Sequence, residues 1–283
     1  MATRLYLPSS TDPGAPISPA YDAAWEVTAS AIRRSLELTK DDPSALVSSG
    51  VATALNTPAQ AVDVLVAQYI SAPISGTPTI SGAIKGQVRA LESNAAADLR
   101  MQCVIRVVSN DGTTVTGTLI AASAAALSSE FNTALRNIMI PLGGSTVPAS
   151  VTAADGDRIV VEIGYRKHEN ATTSRTGTFS LGAISGGTDL AEDETTTTAN
   201  VPWIEFADNI TFKTVSTRAS QVVLQSAITP PATSTRASQV VLQAAITPPA
   251  TSTRVSQVVL QVAVSGGVPG SSAHPRAWGY IIG

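Results

Sequence analysis

Two histidines, one cysteine and a short acidic run are the residues of this 283-residue chain whose types could do chemistry. His168 stands in Lys167-His168-Glu169-Asn170 and His274 in Ala273-His274-Pro275, both polar, loop-like settings. An imidazole serves as a metal ligand or a general base only beside partners at fitting spacing. No HExxH helix, paired cysteines or histidine cluster supplies them. Cys103 alternates with apolar neighbours, so it reads as a small buried hydrophobe and not as a nucleophile, which would need an adjacent base. Asp189-Leu-Ala-Glu192-Asp193-Glu194, followed by four threonines, reads as a solvated loop; clustered carboxylates beside hydroxyls keep Ca²⁺ binding as the alternative. Asp155-Gly156-Asp157 reads as a turn. No GxSxG elbow, phosphate-binding loop or dinucleotide fingerprint is present, so the residues call for no cofactor. Carboxylate pairs for glycoside hydrolysis require a known separation, which a strand-rich sequence does not supply.

The strongest pattern lies elsewhere. Thr217-Arg-Ala-Ser-Gln-Val-Val-Leu-Gln225 recurs at Thr235–Gln243 and, with Val255 in place of Ala, at Thr253–Gln261. Arg218, Arg236 and Arg254 mark an 18-residue period, and Ile-Thr-Pro-Pro-Ala-Thr-Ser separates the copies. Each copy reads as one strand closed by a proline breaker. Short-period repetition suits an array in which units cover one another's faces or edges. The three arginines read as strand-entrance partners for carbonyls or carboxylates, with a phosphate-binding stripe as the alternative. A Ser-Gly-Gly-Val-Pro-Gly-Ser-Ser linker then leads to Trp278-Gly-Tyr280-Ile281-Ile282-Gly283, an apolar tail that reads as a docking strand. Arg218, Arg236, Arg254, Trp278, Tyr280, Ile281 and Ile282 are thus the expected assembly contacts.

Composition sets the elements that would carry these residues. Aromatic residues are 4% and charged residues 14% of the chain, and the β-branched residues favour extended structure. A net charge of −3 argues against nucleic acid as a direct partner. No apolar run reaches the roughly 18 residues of a membrane-spanning helix. The first ten residues lack the apolar core of a secretory signal, so synthesis and assembly in the cytoplasm are expected.

Residues 1–20, with prolines at 8, 13, 16 and 19, read as an extended N-terminal arm. Residues 21–215 read as a β-sandwich or jelly-roll body, 216–264 as the three strand repeats and 265–283 as the linker and docking tail. Within the body, Tyr21–Lys40 leans to strand, and Val62–Tyr69 is a short apolar strand. Thr79–Leu91 alternates, with Ile80, Ile84, Val88 and Ala90 inward and Ser81, Lys85, Gln87 and Arg89 on a wet outer face. Leu99, Met101, Cys103, Ile105 and Val107 share the inner face of the next strand. Asn110-Asp111-Gly112 turns it into a partner over Thr113–Ile120. Ala121–Ile140 holds the one candidate helix, for which Ser128-Ser129-Glu130 offers a start, with Phe131, Leu135 and Ile138 on a face. Ile159, Val161, Ile163 and Tyr165 share a strand face, and strands follow over Thr176–Leu181, Trp203–Phe206 and Ile210–Phe212. Trp25, Trp203 and Trp278 are the aromatic candidates for stacking on a host surface glycan, the alternative to assembly, although core packing explains Trp203 better.

Thr79-Ile-Ser-Gly82, Leu91-Glu-Ser-Asn-Ala-Ala-Ala-Asp98, Val104-Ile-Arg-Val-Val-Ser-Asn-Asp-Gly112, Asp155-Gly-Asp-Arg-Ile-Val-Val-Glu-Ile-Gly-Tyr165 and the 189–206 stretch resemble structural proteins of tailed bacteriophages. The resemblance covers roughly residues 20–215, and the Arg-Ala/Val-Ser-Gln-Val-Val-Leu phrase resembles terminal strands of such proteins. It implies a virion location, homo-oligomeric assembly with other virion proteins in the head, collar or tail, and no catalytic residues.

Overall fold

The computed structural model describes residues 1–9, 14–40, 61–122, 130–140, 146–167 and 174–213, and the backbone of 47–52. The chain divides into two units, Met1–Ser220 and Gln221–Gly283, and the described residues all belong to the first. The three repeats with Arg218, Arg236 and Arg254, the tail residues Trp278, Tyr280, Ile281 and Ile282, and His168 and His274 lie outside them.

The described residues are all-β. They form strands β1 (Thr3–Tyr6), β2 (Ile32–Ser35), β3 (Val47–Ala52), β4 (Val62–Ile70), β5 (Thr79–Ile80), β6 (Ile84–Glu92), β7 (Leu99–Val108), β8 (Val115–Ile120), β9 (Arg136–Ile140), β10 (Val151–Thr152), β11 (Arg158–Lys167), β12 (Thr176–Leu181) and β13 (Trp203–Phe206). A five-stranded sheet runs β2-β4-β11-β7-β8, antiparallel except for the parallel β2/β4 pair. The six-stranded sheet is centred on β6. Gln87 pairs with Met139 of β9 and Trp203 of β13, while Arg89 pairs with Asn137 of β9 and Ser180 of β12. β12 and β13 therefore lie end to end along one edge of β6, and residues 182–202 leave that line and return to it. β1 and β3 continue the sheet outward from β13 and β12.

One core joins the two sheets, because both present period-2 apolar faces to it. Met101, Cys103, Ile105 and Val107 from β7 and Ile159, Val161, Ile163 and Tyr165 from β11 meet Val88, Ala90, Ile138, Ile140 and Phe179. Phe131 lies edge-on to Tyr165 and Phe179, at centroid distances of 6.5 and 5.7 Å. The expected hairpin joins β7 to β8. Its Gly112 takes φ +78°, a left-handed value that a side chain resists, and donates to Ser109 O at 2.8 Å.

Three expectations change. The helix expected within Ala121–Ile140 gives way, over the described residues 130–140, to β9, where Arg136–Ile140 pairs residue by residue with β6; residues 123–129 lie outside the described residues. The spacing of Phe131, Leu135 and Ile138 imitates a helical face, but Ile138 and Ile140 supply the strand alternation that pairing with β6 rewards. Ile210–Phe212 forms no strand; Phe212 makes a single bridge to Ile74. The outer face of β6 is not wet throughout, because Gln87 and Arg89 are buried.

The extended N-terminal arm is laid along the body. β1 joins the six-stranded sheet, and residues 14–27 then run over the outside of the other sheet. There Ala15 and Ile17 pack on Ile70, Val108 and Val160, while Tyr21 and Trp25 pack on Leu65 and Val104.

Candidate functional site

Core-facing positions of β6 run Val88, Ala90, Glu92, so strand alternation turns a carboxylate toward the interior at the end of the sheet. Glu92 is 2% exposed. Charged side chains at such positions are rare unless paired, and among the described residues this one has a single side-chain hydrogen bond, from Leu99 N at 3.2 Å. The connection to β7 makes that bond. Asn94 caps the 3-10 turn Ala95–Ala97 by accepting from Ala96 N at 2.9 Å, and Asp98 takes a left-handed φ of +48° to start β7. Asp tolerates that conformation better than most residues.

A cleft of about 420 Å³ opens beside Glu92, walled by Glu130, Phe131, Asn132, Thr133 and Arg136. Arg136 faces inward because its cross-strand partner is Ala90. It donates from Nη2 to the Glu130 carbonyl at 2.9 Å, and its Nε is buried without an acceptor. Burial raises the Glu92 pKa above the usual carboxylate range. Glu130 and Asp98 push it further up, while the Leu99 amide and Arg136 work against the rise. The cleft thus presents a desolvated carboxyl, a second carboxylate and a guanidinium side by side.

The residues singled out from sequence are placed differently. Cys103 is buried in the core, and burial drives its thiol pKa far upward, so it is held as the neutral thiol. The acidic run finds its partners within the fold. Asp189 takes Arg4 at 2.7 Å and Lys40 at 2.9 Å, Glu192 takes Lys85 at 2.7 Å, and Asp193 accepts from the amides of Thr195 and Thr196. Asp155 pairs with Lys213 at 2.8 Å. Among the described residues, no group of three or more His, Cys, Asp or Glu could hold a metal ion. Trp25 and Trp203 are buried, 6% and 1% exposed, and their indole nitrogens donate to Glu162 and to Leu190 O. Neither offers a face for stacking on a sugar. The Glu92 cleft was missed from sequence, where the signal was a charge closing the inward series Val88-Ala90.

No family model matches the sequence, and no curated protein does. Solved structures overlap the chain only loosely. A CocE/NonD family hydrolase from Staphylococcus aureus overlaps 73% of this chain and 36% of its own at 10% identity, with a TM-score of 0.39. An aminopeptidase from a marine sediment Thaumarchaeota archaeon overlaps 74% and 37% at 9% identity, with a TM-score of 0.37. An α-amino acid ester hydrolase overlaps 73% and 36% at 9% identity, with a TM-score of 0.31. The chain spans little more than a third of the length of each, and likeness this loose says nothing of activity.

Proposed function

We propose that this chain is a non-enzymatic structural protein of a phage particle, which self-assembles with its own copies and with other virion proteins. The observation that carries this reading is the phrase repeated three times at an 18-residue period, attached to an all-β body. An isolated strand array is marginal in water and gains stability when another surface covers it.

The sheet edges support the same reading. Exposed edges template pairing with other chains unless they are blunted. Four edges of the body are met by its own chain: Tyr6 N donates to Glu37 O, Arg34 bridges Gly14, Asn137 N donates to Thr196 O, and Ala149 N donates to Leu119 O. β3 differs. Among the described residues it pairs only with β12, and Val47-Ser-Ser-Gly-Val-Ala52 contains neither charge nor proline. Strand addition at β3 would supply backbone hydrogen bonds without a change in fold.

Sedimentation velocity and electron microscopy of the full chain test the reading. Oligomers are expected for the intact protein. Removal of Ser265–Gly283 should leave a folded body that fails to assemble, and Ser48→Lys, which charges the β3 edge, should weaken assembly. A monomeric full chain, or normal assembly after the truncation, overturns the proposal.

A further inference from the structure

Among the described residues, Glu92, Glu130 and Arg136 gather at one cleft and none of them forms an ion pair. Glu92 takes one hydrogen bond, at Oε2 from Leu99 N, which leaves Oε1 as an acceptor at the cleft, while Arg136 Nε is fully buried there with no acceptor among the described residues. The Glu130 carboxylate makes no hydrogen bond or ion pair there, and Arg136 keeps donors beyond its one bond to the Glu130 carbonyl. Thr133 keeps its hydroxyl and Asn132 its amide nitrogen. Water can meet the groups at the mouth of the cleft, and a ligand that displaces it must reproduce those hydrogen bonds, both donated and accepted.

The occupant must match this mixture. An organic cation would satisfy the two carboxylates but meet Arg136, and an anion would satisfy Arg136 but meet two carboxylates. Hydroxyls donate and accept together, so neighbouring hydroxyls on one ring can give a hydrogen bond to Glu92 or Glu130 while accepting one from Arg136. A volume of about 420 Å³ lies within the range of small-molecule clefts. We propose that this cleft binds a neutral sugar, with Glu92 and Glu130 accepting from its hydroxyls and Arg136, Asn132 and Thr133 donating to them. Sugar titration and the measurement of oligomeric state are different readouts, so the failure of one proposal is distinguishable from the failure of the other.

The test is titration of the full chain, followed by isothermal calorimetry and ligand-observed NMR, with D-glucose, D-galactose, D-mannose and N-acetyl-D-glucosamine. Ethylammonium chloride and sodium acetate serve as single-charge controls. Saturable binding of at least one sugar with a millimolar Kd is expected, and neither control should compete. Glu130→Gln and Arg136→Gln should each weaken binding about tenfold, the loss of one hydrogen bond to a charged group. Thr133→Ala, at an exposed position, should weaken it less while leaving the fold intact. No saturation by any of the four sugars overturns the proposal. So does binding that survives all three substitutions, or tighter binding of either control.

Discussion

The outer faces of the two sheets are both crossed by a row of polar side chains and both roofed by the protein's own backbone, yet they are held in opposite ways. On the five-stranded sheet, Arg33, Gln68 and Glu162 stand in register across β2, β4 and β11. The roof is the N-terminal segment. Glu162 is fully buried and accepts from Trp25 Nε1 at 2.7 Å, Gln68 Nε2 at 2.8 Å and Arg106 Nη2 at 2.6 Å, with the Asp22 amide beside them. Arg106 and Arg33 in turn donate to the Ala20 and Pro19 carbonyls. On the six-stranded sheet, Arg4, Glu205 and Lys85 stand in register across β1, β13 and β6. Their roof is the 182–202 excursion, tied by Asp189 and Glu192, whose side chains are 26% and 52% exposed. Similar chemistry therefore operates in two dielectric settings. A buried ion pair costs most when one member is lost, whereas a solvated pair contributes little either way.

The largest effect is expected at Glu162. Glu162→Ala leaves Arg106, 5% exposed, with only the looser Asp22 carboxylate at 3.8 Å in place of the 2.6 Å contact to Glu162, which should cost about 3 kcal/mol in urea unfolding. A loss below roughly 1 kcal/mol, the scale of a surface pair, would remove the distinction between the two faces. Trp25→Phe isolates a single tie of the same roof. It deletes the indole N–H to a buried carboxylate and should cost about 2 kcal/mol. Gly164 shows how closely the indole sits: a Cβ there would meet the Trp25 ring at 3.0 Å and collide with the Val64 carbonyl.

How far this arrangement could be read in advance follows from the same contrast. The inner faces of β7 and β11 are legible because each strand carries its own alternation, and the Asn110-Asp111-Gly112 turn is a local signal. The outer faces are not legible in the same way. Gln102, Arg106 and Glu162 fall on the faces opposite those series, and residues about 80 to 140 positions away in sequence bury two of them. Trp25 and Glu162 carry no mutual signature; their meeting depends on the path of the whole chain. Arg136–Ile140 failed for a related reason, since pairing with β6 overrides a helix-like spacing. The Glu92 cleft needs the β6–β9 register before its groups come together.

Asp189 gives the next, smaller effect. Burial lifts its pKa, but hydrogen bonds from Lys40 and Arg4 outweigh that and hold the carboxyl below the usual range. A depressed folded value means that its stabilisation is present above the unfolded pKa, roughly 3.9, and is lost as pH falls through the folded one. Asp189→Asn should cost at most about 1 kcal/mol at neutral pH, because the pair is partly solvated. The wild type and the variant should converge in acid. Urea midpoints measured at neutral and acid pH check this, and a gap that widens in acid would contradict the sign.

Lys85 sets the lower end of the scale and isolates solvent as the cause. It meets Glu192 at 2.7 Å and Glu205 at 3.6 Å and lies 5.9 Å from the Trp203 ring centroid, so by contact count alone it rivals Arg106. Its pKa is raised chiefly by the hydrogen bond with Glu192, but water reaches both partners. Exposed pairs of this kind contribute a few tenths of a kcal/mol, and that contribution shrinks at about 1 M salt, where screening acts within roughly 3 Å. Lys85→Ala should therefore shift the urea midpoint slightly at low salt and not at high salt, while the Glu162→Ala loss persists in both. If salt erased the Glu162 effect as well, the N-terminal roof would be as wet as the other, and the buried clamp would not distinguish the two faces.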